Sequence, residues 1–398
     1  MGQPSCRHFN GYKPCPQVDS LKVDCAPGCV AFEPRATGVN ILLVHLGALG
    51  AVARSTALLP AIHRKYPDAT LTWVTDRPGD QILMGVPGIH RVLTTTTSDL
   101  LKLRALQFDV ALVVDKSLEA EGVLAHLQVQ PESVFGFRVN ARTGAVMPAT
   151  AAASELWSIG ISNKTKFFEN RKTENQLIHE ALELGPFVND EYQLCLTSTE
   201  SKAAVDRRSQ WVTPKSFKYV VGLNTGCANT IAAKKLSIEG HVGLIKELRN
   251  LADVQIVLLG GREDTDRNAQ IAKLASVHGI DVIQSSTTEG IRDGMISVAA
   301  CDLVVSGDSF GLHLAIGLKR PVVAWFGPTC SQEIEIYGRG HKVETLAGCS
   351  PCWKRQCSMN PMCYDLVDFR DMARKIVAVL GDDSRVSGRL RLEVSPGL

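Results

Sequence analysis

No stretch of this chain reaches the ~18 uninterrupted apolar residues that a membrane-spanning helix needs. The opening MGQPSCRHFNGYKPC lacks the apolar core of a secretory signal. It also misses the myristoylation pattern, because Cys6 stands where Ser or Thr is required. These absences predict a cytoplasmic protein whose contact with the inner membrane, if any, is peripheral. An excess of charge is lacking too: the net charge is only +2, which argues against coating a nucleic acid. There is no internal repeat and no low-complexity tract. What remains is an ordinary globular composition, 45% apolar and 21% charged, on 398 residues. That length exceeds what one core usually holds, so two domains are expected.

The twelve cysteines fall unevenly. Cys6, Cys15, Cys25 and Cys29 crowd the opening segment, and Cys349, Cys352, Cys357 and Cys363 form a second group. Cys195, Cys227, Cys301 and Cys330 are isolated. In a reducing compartment such clusters favour metal ligation over disulfides. Each group supplies four thiolates, which suits a closed tetrahedral Zn or Fe site, and a closed site is structural. Four thiolates would also ligate an iron–sulfur cluster. The second group has the tighter spacing and turn residues Gly348, Pro351 and Pro361.

Residues 1–37 read as a Cys-rich, strand-poor segment. Residues 38–185 then follow a strand–helix rhythm. Short apolar, β-branched runs at 39–45, 70–75, 91–94, 109–114 and 133–137 predict parallel strands. A polar stretch around 169–215 separates this from a second region, 217–365. There the rhythm restarts at 219–224, 254–259, 281–283, 303–306 and 321–326. Residues 366–380 predict an amphipathic helix. The alternation implies two doubly wound α/β domains facing a cleft, with strand C-termini turned toward it. Many functions share that layout, so the choice falls to the loops.

Four loops follow strands of the second domain. They are Asn224-Thr225-Gly226 with Lys234 and Lys235 downstream, Gly260-Gly261, Asp308-Ser309 with Gly311 and His313, and Gly327-Pro328-Thr329. A helix starting at Asp308 or Ser309 would turn free N–H groups toward an anion. Lysines beside a diphosphate would neutralise charge on a departing nucleotide. Taken singly each has a plain structural reading: a capped helix with a buried histidine, a solvated helix start, a β-turn. Their convergence on one sheet edge is the stronger signal. Asp264-Thr265-Asp266 resembles a metal-diphosphate motif but sits where helix caps are ordinary. In the first domain, Gly47 and Gly50 lie in a loop after a strand, without the full dinucleotide fingerprint. Asp115 ends a strand and is the candidate catalytic base for an acceptor hydroxyl, unless it caps the next helix.

The segments ILLVHLGALGAVARSTALLPAIHRKYPDATLTWVT, FDVALVVDKS, GLNTGCANTIAAKKL and GDSFGLHLAIGLKRPVVAWFGPT resemble glycosyltransferase family 9, the bacterial heptosyltransferase family. The resemblance runs from about residue 39 to 380. The ending CSPCWKRQCSMNPMCYDL is similar to the Cys-rich C-terminus of many members and to the iron-binding finger of autotransporter heptosyltransferases. The resemblance implies a GT-B fold of two Rossmann-like domains and inverting transfer from a nucleotide-diphosphate sugar, usually ADP-heptose. It implies no catalytic divalent cation. The acceptor would be a hydroxyl of a glycan, glycolipid or protein. Family roles fall on Lys234 or Lys235 for the phosphates, and on Asp308, Ser309, His313 and the Gly327–Thr329 turn for the donor. Two positions depart from the pattern. Ala51 stands where many heptosyltransferases carry a catalytic Asp, and Phe310 stands where the donor motif has Gly. An NDP-sugar epimerase and a non-catalytic nucleotide-sugar or redox sensor are the rival readings.

Overall fold

A computed structural model describes residues 38–213 and 217–382, with residues 6, 8, 9, 15 and 29–32 of the opening segment. The first sheet contains β1 (Asn40–Val44), β2 (Thr70–Thr75), β3 (Arg91–Thr94), β4 (Val110–Val113), β5 (Ser133–Val139) and β6 (Val146–Pro148). Their order is β3-β2-β1-β4-β5-β6, parallel except for the β5–β6 pair. The second contains β7 (Val220–Asn224), β8 (Gln255–Leu259), β9 (Ile283–Gln284), β10 (Leu303–Gly307), β11 (Val322–Phe326) and β12 (Gly340–Glu344). It is parallel throughout, in the order β12-β11-β10-β7-β8-β9.

The central strands are apolar along most of their length because both faces are covered. Along β1, Ile41 and Leu43 enter one core, with Leu71 and Trp73; Leu42 and Val44 enter the other, with Val74 and Ala111. The second sheet alternates in the same way, Val220 toward one core and Val221 and Leu223 toward the other. In each sheet the order reverses beside the first strand, β1 or β7, and that reversal opens a crevice at the strand C-termini.

Helices α1 (Leu49–Ser55), α2 (Ile238–Leu251), α3 (Phe310–Gly317) and α4 (Phe369–Gly381) matter most below. The expected helix at 366–380 is α4, which begins later because the Asp368 carboxylate caps it through the Asp371 N–H at 2.9 Å. Strands β6 and β12 lie at sheet edges. Their segments, VMP and GHKVE, carry no apolar run, so the sequence does not announce them.

The two halves meet where α1 packs on α3. The segment 185–197 runs along this seam. Its Asp190 carboxylate takes both nitrogens of Arg64 (2.8 and 2.6 Å), Glu191 pairs with Arg339 (2.6 Å), and the Gln193 N–H donates to Thr56 Oγ1 (2.9 Å). Lys166 of the first half pairs with Glu333 of the second at 2.6 Å. Among the described residues, no helix is long and apolar enough to cross a membrane.

Candidate active site

The four loops of the second half do converge. Asn224, at the end of β7, donates from its amide to Ser306 Oγ (3.1 Å), Ser309 Oγ (2.9 Å) and the Gly226 carbonyl (3.0 Å). Gly311 lies directly against that amide. Thr225 is buried and its hydroxyl donates to the Leu259 carbonyl at 3.2 Å, joining the β7 and β8 ends. After β8, the Gly261 N–H donates to Asp264 Oδ2 (2.9 Å). This carboxylate is buried against Gly226 and Gly260, while Asp266 is exposed on the next helix. Ser309 occupies the N-cap position of α3, yet its hydroxyl bonds Asn224 and Ser306 instead of capping. Phe310, beside it, packs into the core of the second half. The ring is only partly buried by that contact.

The centre of the site is an ion pair. A Cβ added at Gly307 would lie 1.9 Å from the Lys234 carbonyl oxygen. Only glycine lets the turn Asn229–Lys234 rest on the end of β10. So placed, Lys234 Nζ reaches Asp308 Oδ2 at 2.9 Å. His313 Nε2 stands 3.8 Å from Asp308 Oδ1, close for electrostatics but too far for a hydrogen bond. Burial works against ionisation of Asp308, yet the Lys234 ammonium and His313 hold its carboxyl below the usual range. Burial and the Arg54 guanidinium push His313 down to about 3, so it is neutral at pH 7. Its Nδ1 shares a 3.3 Å hydrogen bond with the Tyr192 hydroxyl, and the two rings stack 6.1 Å apart. Thr329 presents a buried hydroxyl beside Asp308 that is otherwise without a partner. Lys235 looks to the other end of the site, where Asp264 feels its charge.

The first half supplies the opposing wall. Gly50, in the first turn of α1, touches His313: a Cβ there would lie 2.5 Å from His313 Cδ2. Gly47 meets nothing within 4 Å. Asp115, after β4, accepts the Leu46 N–H and a second from Gly47, which ties it to this loop. Ser117, not Asp115, caps the following helix, its Oγ accepting from the Ala120 N–H at 3.2 Å. Burial pushes the Asp115 carboxyl up to about 7 against those N–H groups, with Asp76 adding to the rise. A carboxyl that titrates near neutrality is poised for proton transfer. Ala51 sits in α1, one residue past Gly50, and can take no proton.

Several residues of this cleft escape a reading by motif. Arg54 is buried on α1 and pairs with Glu174 at 2.8 Å; its Nε has no partner, and its charge reaches Asp308 and Glu333. An arginine inside the apolar stretch AVARSTALL was the available clue. Tyr192 belongs to a polar crossover with no local pattern, and only tertiary structure brings it to His313.

Cys349, Cys352, Cys357 and Cys363 line one pocket with Gly327 and Pro328. Burial and the three facing thiols push Cys363 up to about 11. Among the described residues, however, no group of three or more His, Cys, Asp or Glu side chains is arranged to hold a metal ion. The opening group does not form a second four-thiol site among these residues either: Cys6 is buried, Cys15 donates to the His8 carbonyl at 3.7 Å, and Cys25 lies outside the described residues.

The pattern of Glycosyltransferase family 9 (heptosyltransferase) matches residues 101–363. Lipopolysaccharide heptosyltransferase 2 of Salmonella typhimurium is 31% identical over 100 residues, which are 24% of this chain and 28% of that relative. The alignment thus spans less than a third of the curated relative's length. Among solved structures, the Escherichia coli ADP-heptose lipopolysaccharide heptosyltransferase II superposes with a TM-score of 0.61 at 17% identity, covering 87% of this chain and 99% of that one. TibC of enterotoxigenic E. coli, an iron-containing dodecameric heptosyltransferase solved with ADP-D-beta-D-heptose, gives 0.50 at 10% identity, covering 88% and 78%. At these identities the superpositions speak for the fold, and the family pattern, covering most of the chain, speaks for descent. The chain is a member of glycosyltransferase family 9, the heptosyltransferase family.

Proposed function

We propose that this protein transfers a sugar, with inversion, from a nucleotide-diphosphate donor to a hydroxyl of a bacterial surface glycan, glycolipid or protein. The observation that carries the reading is the Lys234–Asp308–His313 cluster at the C-terminal ends of adjacent parallel strands. ADP-heptose is the donor we favour, because it is what the TibC structure holds and what the name of the E. coli enzyme states. Lys234 and the Gly327–Thr329 turn would take the diphosphate; Asp308, neutral His313 and Asn224 would take hydroxyls of the donor. Asp115 would accept the proton as the acceptor oxygen bonds the anomeric carbon. The bond to the departing diphosphate breaks on the opposite face, through an oxocarbenium-like state. Lys234 then offsets the charge left on the nucleotide. The seam along 185–197 would exclude water from the closed cleft.

A metal would be structural on this reading. Cys349, Cys352, Cys357 and Cys363 line one pocket, and four thiolates would suit Zn or Fe, although the described side chains are not arranged to hold a metal. They lie behind the Gly327 turn, where a metal would stiffen the loop.

The test is a panel of nucleotide sugars screened by thermal shift, since a ligand bound only by the folded chain raises its melting temperature. ADP-heptose should give the largest rise; no response to any nucleotide sugar would sink the proposal. Ala51 favours one second reading, a nucleotide-sugar binder without transfer. It predicts the same thermal shift with no glycosylated product from any acceptor.

A further inference from the structure

The cysteine loop does more than surround a pocket, because it carries Trp353 into the cleft. Trp353 adopts a φ of 52°, a conformation rare for a bulky residue and maintained only where its surroundings demand it. The demand comes from the Pro328 carbonyl, which accepts the N–H groups of both Cys352 (3.0 Å) and Trp353 (2.8 Å). Held this way, the indole faces two ammonium groups. Lys234 Nζ lies 5.2 Å from the ring centroid and Lys166 Nζ 4.6 Å from it. Lys234 comes from the second half and pairs with Asp308; Lys166 comes from the first half and pairs with Glu333. One aromatic ring therefore contacts a cation from each wall.

We propose that Trp353 is a positioning residue for the diphosphate site, keeping the Lys234 ammonium aimed at the anion and joining it to Lys166 across the cleft. This rests on the diphosphate reading above. The physical reason for a ring in this place is that its quadrupole attracts a cation without neutralising it. The Asp308 carboxylate, which already pairs with this ammonium, competes with a phosphate for it. A ring fixes the ammonium and leaves its charge available. The loop's anchoring to the Pro328 carbonyl, on the turn proposed to take the same diphosphate, would then set Lys234 and that turn as one unit.

The test uses the full chain and two probes, ADP and inorganic pyrophosphate, with affinities from calorimetry. Trp353→Ala should weaken both by roughly five- to tenfold, the scale of a partly desolvated cation–π contact. Trp353→Phe should stay within about threefold of the parent, while Trp353→Leu, which keeps apolar bulk without a quadrupole, should resemble the Ala variant. This pair of variants also guards against an Ala variant that fails to fold. Equal affinities for the Leu and Phe variants, or parental affinity in the Ala variant, would overturn the positioning role while leaving the diphosphate site standing. A parent chain that binds neither anion overturns both.

Discussion

Replacing Lys234 with alanine should destabilise the second half far more than loss of a surface ion pair would. The Asp308 side chain is 11% exposed and that of Lys234 20%, so water can do little to re-solvate a carboxylate left alone. Exposed pairs contribute ~0–1 kcal/mol. Stripping one partner from a buried pair costs ~3–5 kcal/mol, because a bare charge stays behind. We expect about 3 kcal/mol at pH 7.5, read by urea unfolding with tryptophan emission. The pH dependence sharpens the case. In the parent, Asp308 is held below its ordinary range, so its stabilisation is present above about pH 4 and fades as pH falls. In the variant the ammonium is gone, while burial still raises the carboxyl. At pH 5 Asp308 should therefore be more readily protonated than in the parent, shrinking the deficit there. For the same reason Asp308→Asn added to Lys234→Ala should restore most of the loss at pH 7.5. A deficit under about 1 kcal/mol at both pH values, or no restoration in the double variant, would refute the reasoning.

Three further outcomes follow from the geometry. Asp115→Asn should leave donor affinity intact but lower the transfer rate by ~10²–10⁴-fold. Because burial lifts the Asp115 carboxyl to about 7, its base form grows as pH rises, so the parent rate should climb from pH 6 to 8; a flat profile contradicts the role. Gly50→Ala places a methyl 2.5 Å from His313 Cδ2, and the stacked Tyr192 ring restricts retreat. Overpacking of this kind costs ~1–3 kcal/mol; unchanged melting temperature and unchanged turnover would show that the halves do not meet there. Purified protein should contain about one Zn or Fe per chain, lost on replacing Cys352 and Cys357 with Ser. Metal-free protein of full stability would remove that site.

Much of this was legible in the sequence because buried parallel strands announce themselves as short apolar runs. Residues 70–75 and 91–94 are strands as expected. Segment 281–283 was harder: DVI carries too little signal, and the strand is Ile283–Gln284. Edge strands β6 and β12 escape because only one side of each is paired, so polar residues suffice. Within the site, Lys234, Asp308 and His313 could be chosen since each follows a strand end. What could not be read was pairing at a distance. Nothing local links Tyr192 to His313, or Trp353 to Lys166, or tells Lys234 from Lys235. That last choice is made by the Lys234 carbonyl resting on Gly307. Burial also decides chemistry that composition hides: Asp115 and Asp308 are the same residue type, one pushed up and the other held down.

The Gly327–Thr329 turn owes its shape to chain that emerges later. The Ser350 hydroxyl binds the Gly327 carbonyl, and two N–H groups from the cysteine loop take the next one. Helix α4, later still, lies on α2, with Phe369 against Gly240 and Gly243. On the ribosome, where chains fold from the N-terminus onward, every strand of both sheets emerges before the loop that completes this turn. A chain ended just before Cys349 would keep every strand of both sheets yet lack the bonds that shape this turn and the α4 side chains Met372, Ile376 and Leu380 that complete the second half's core.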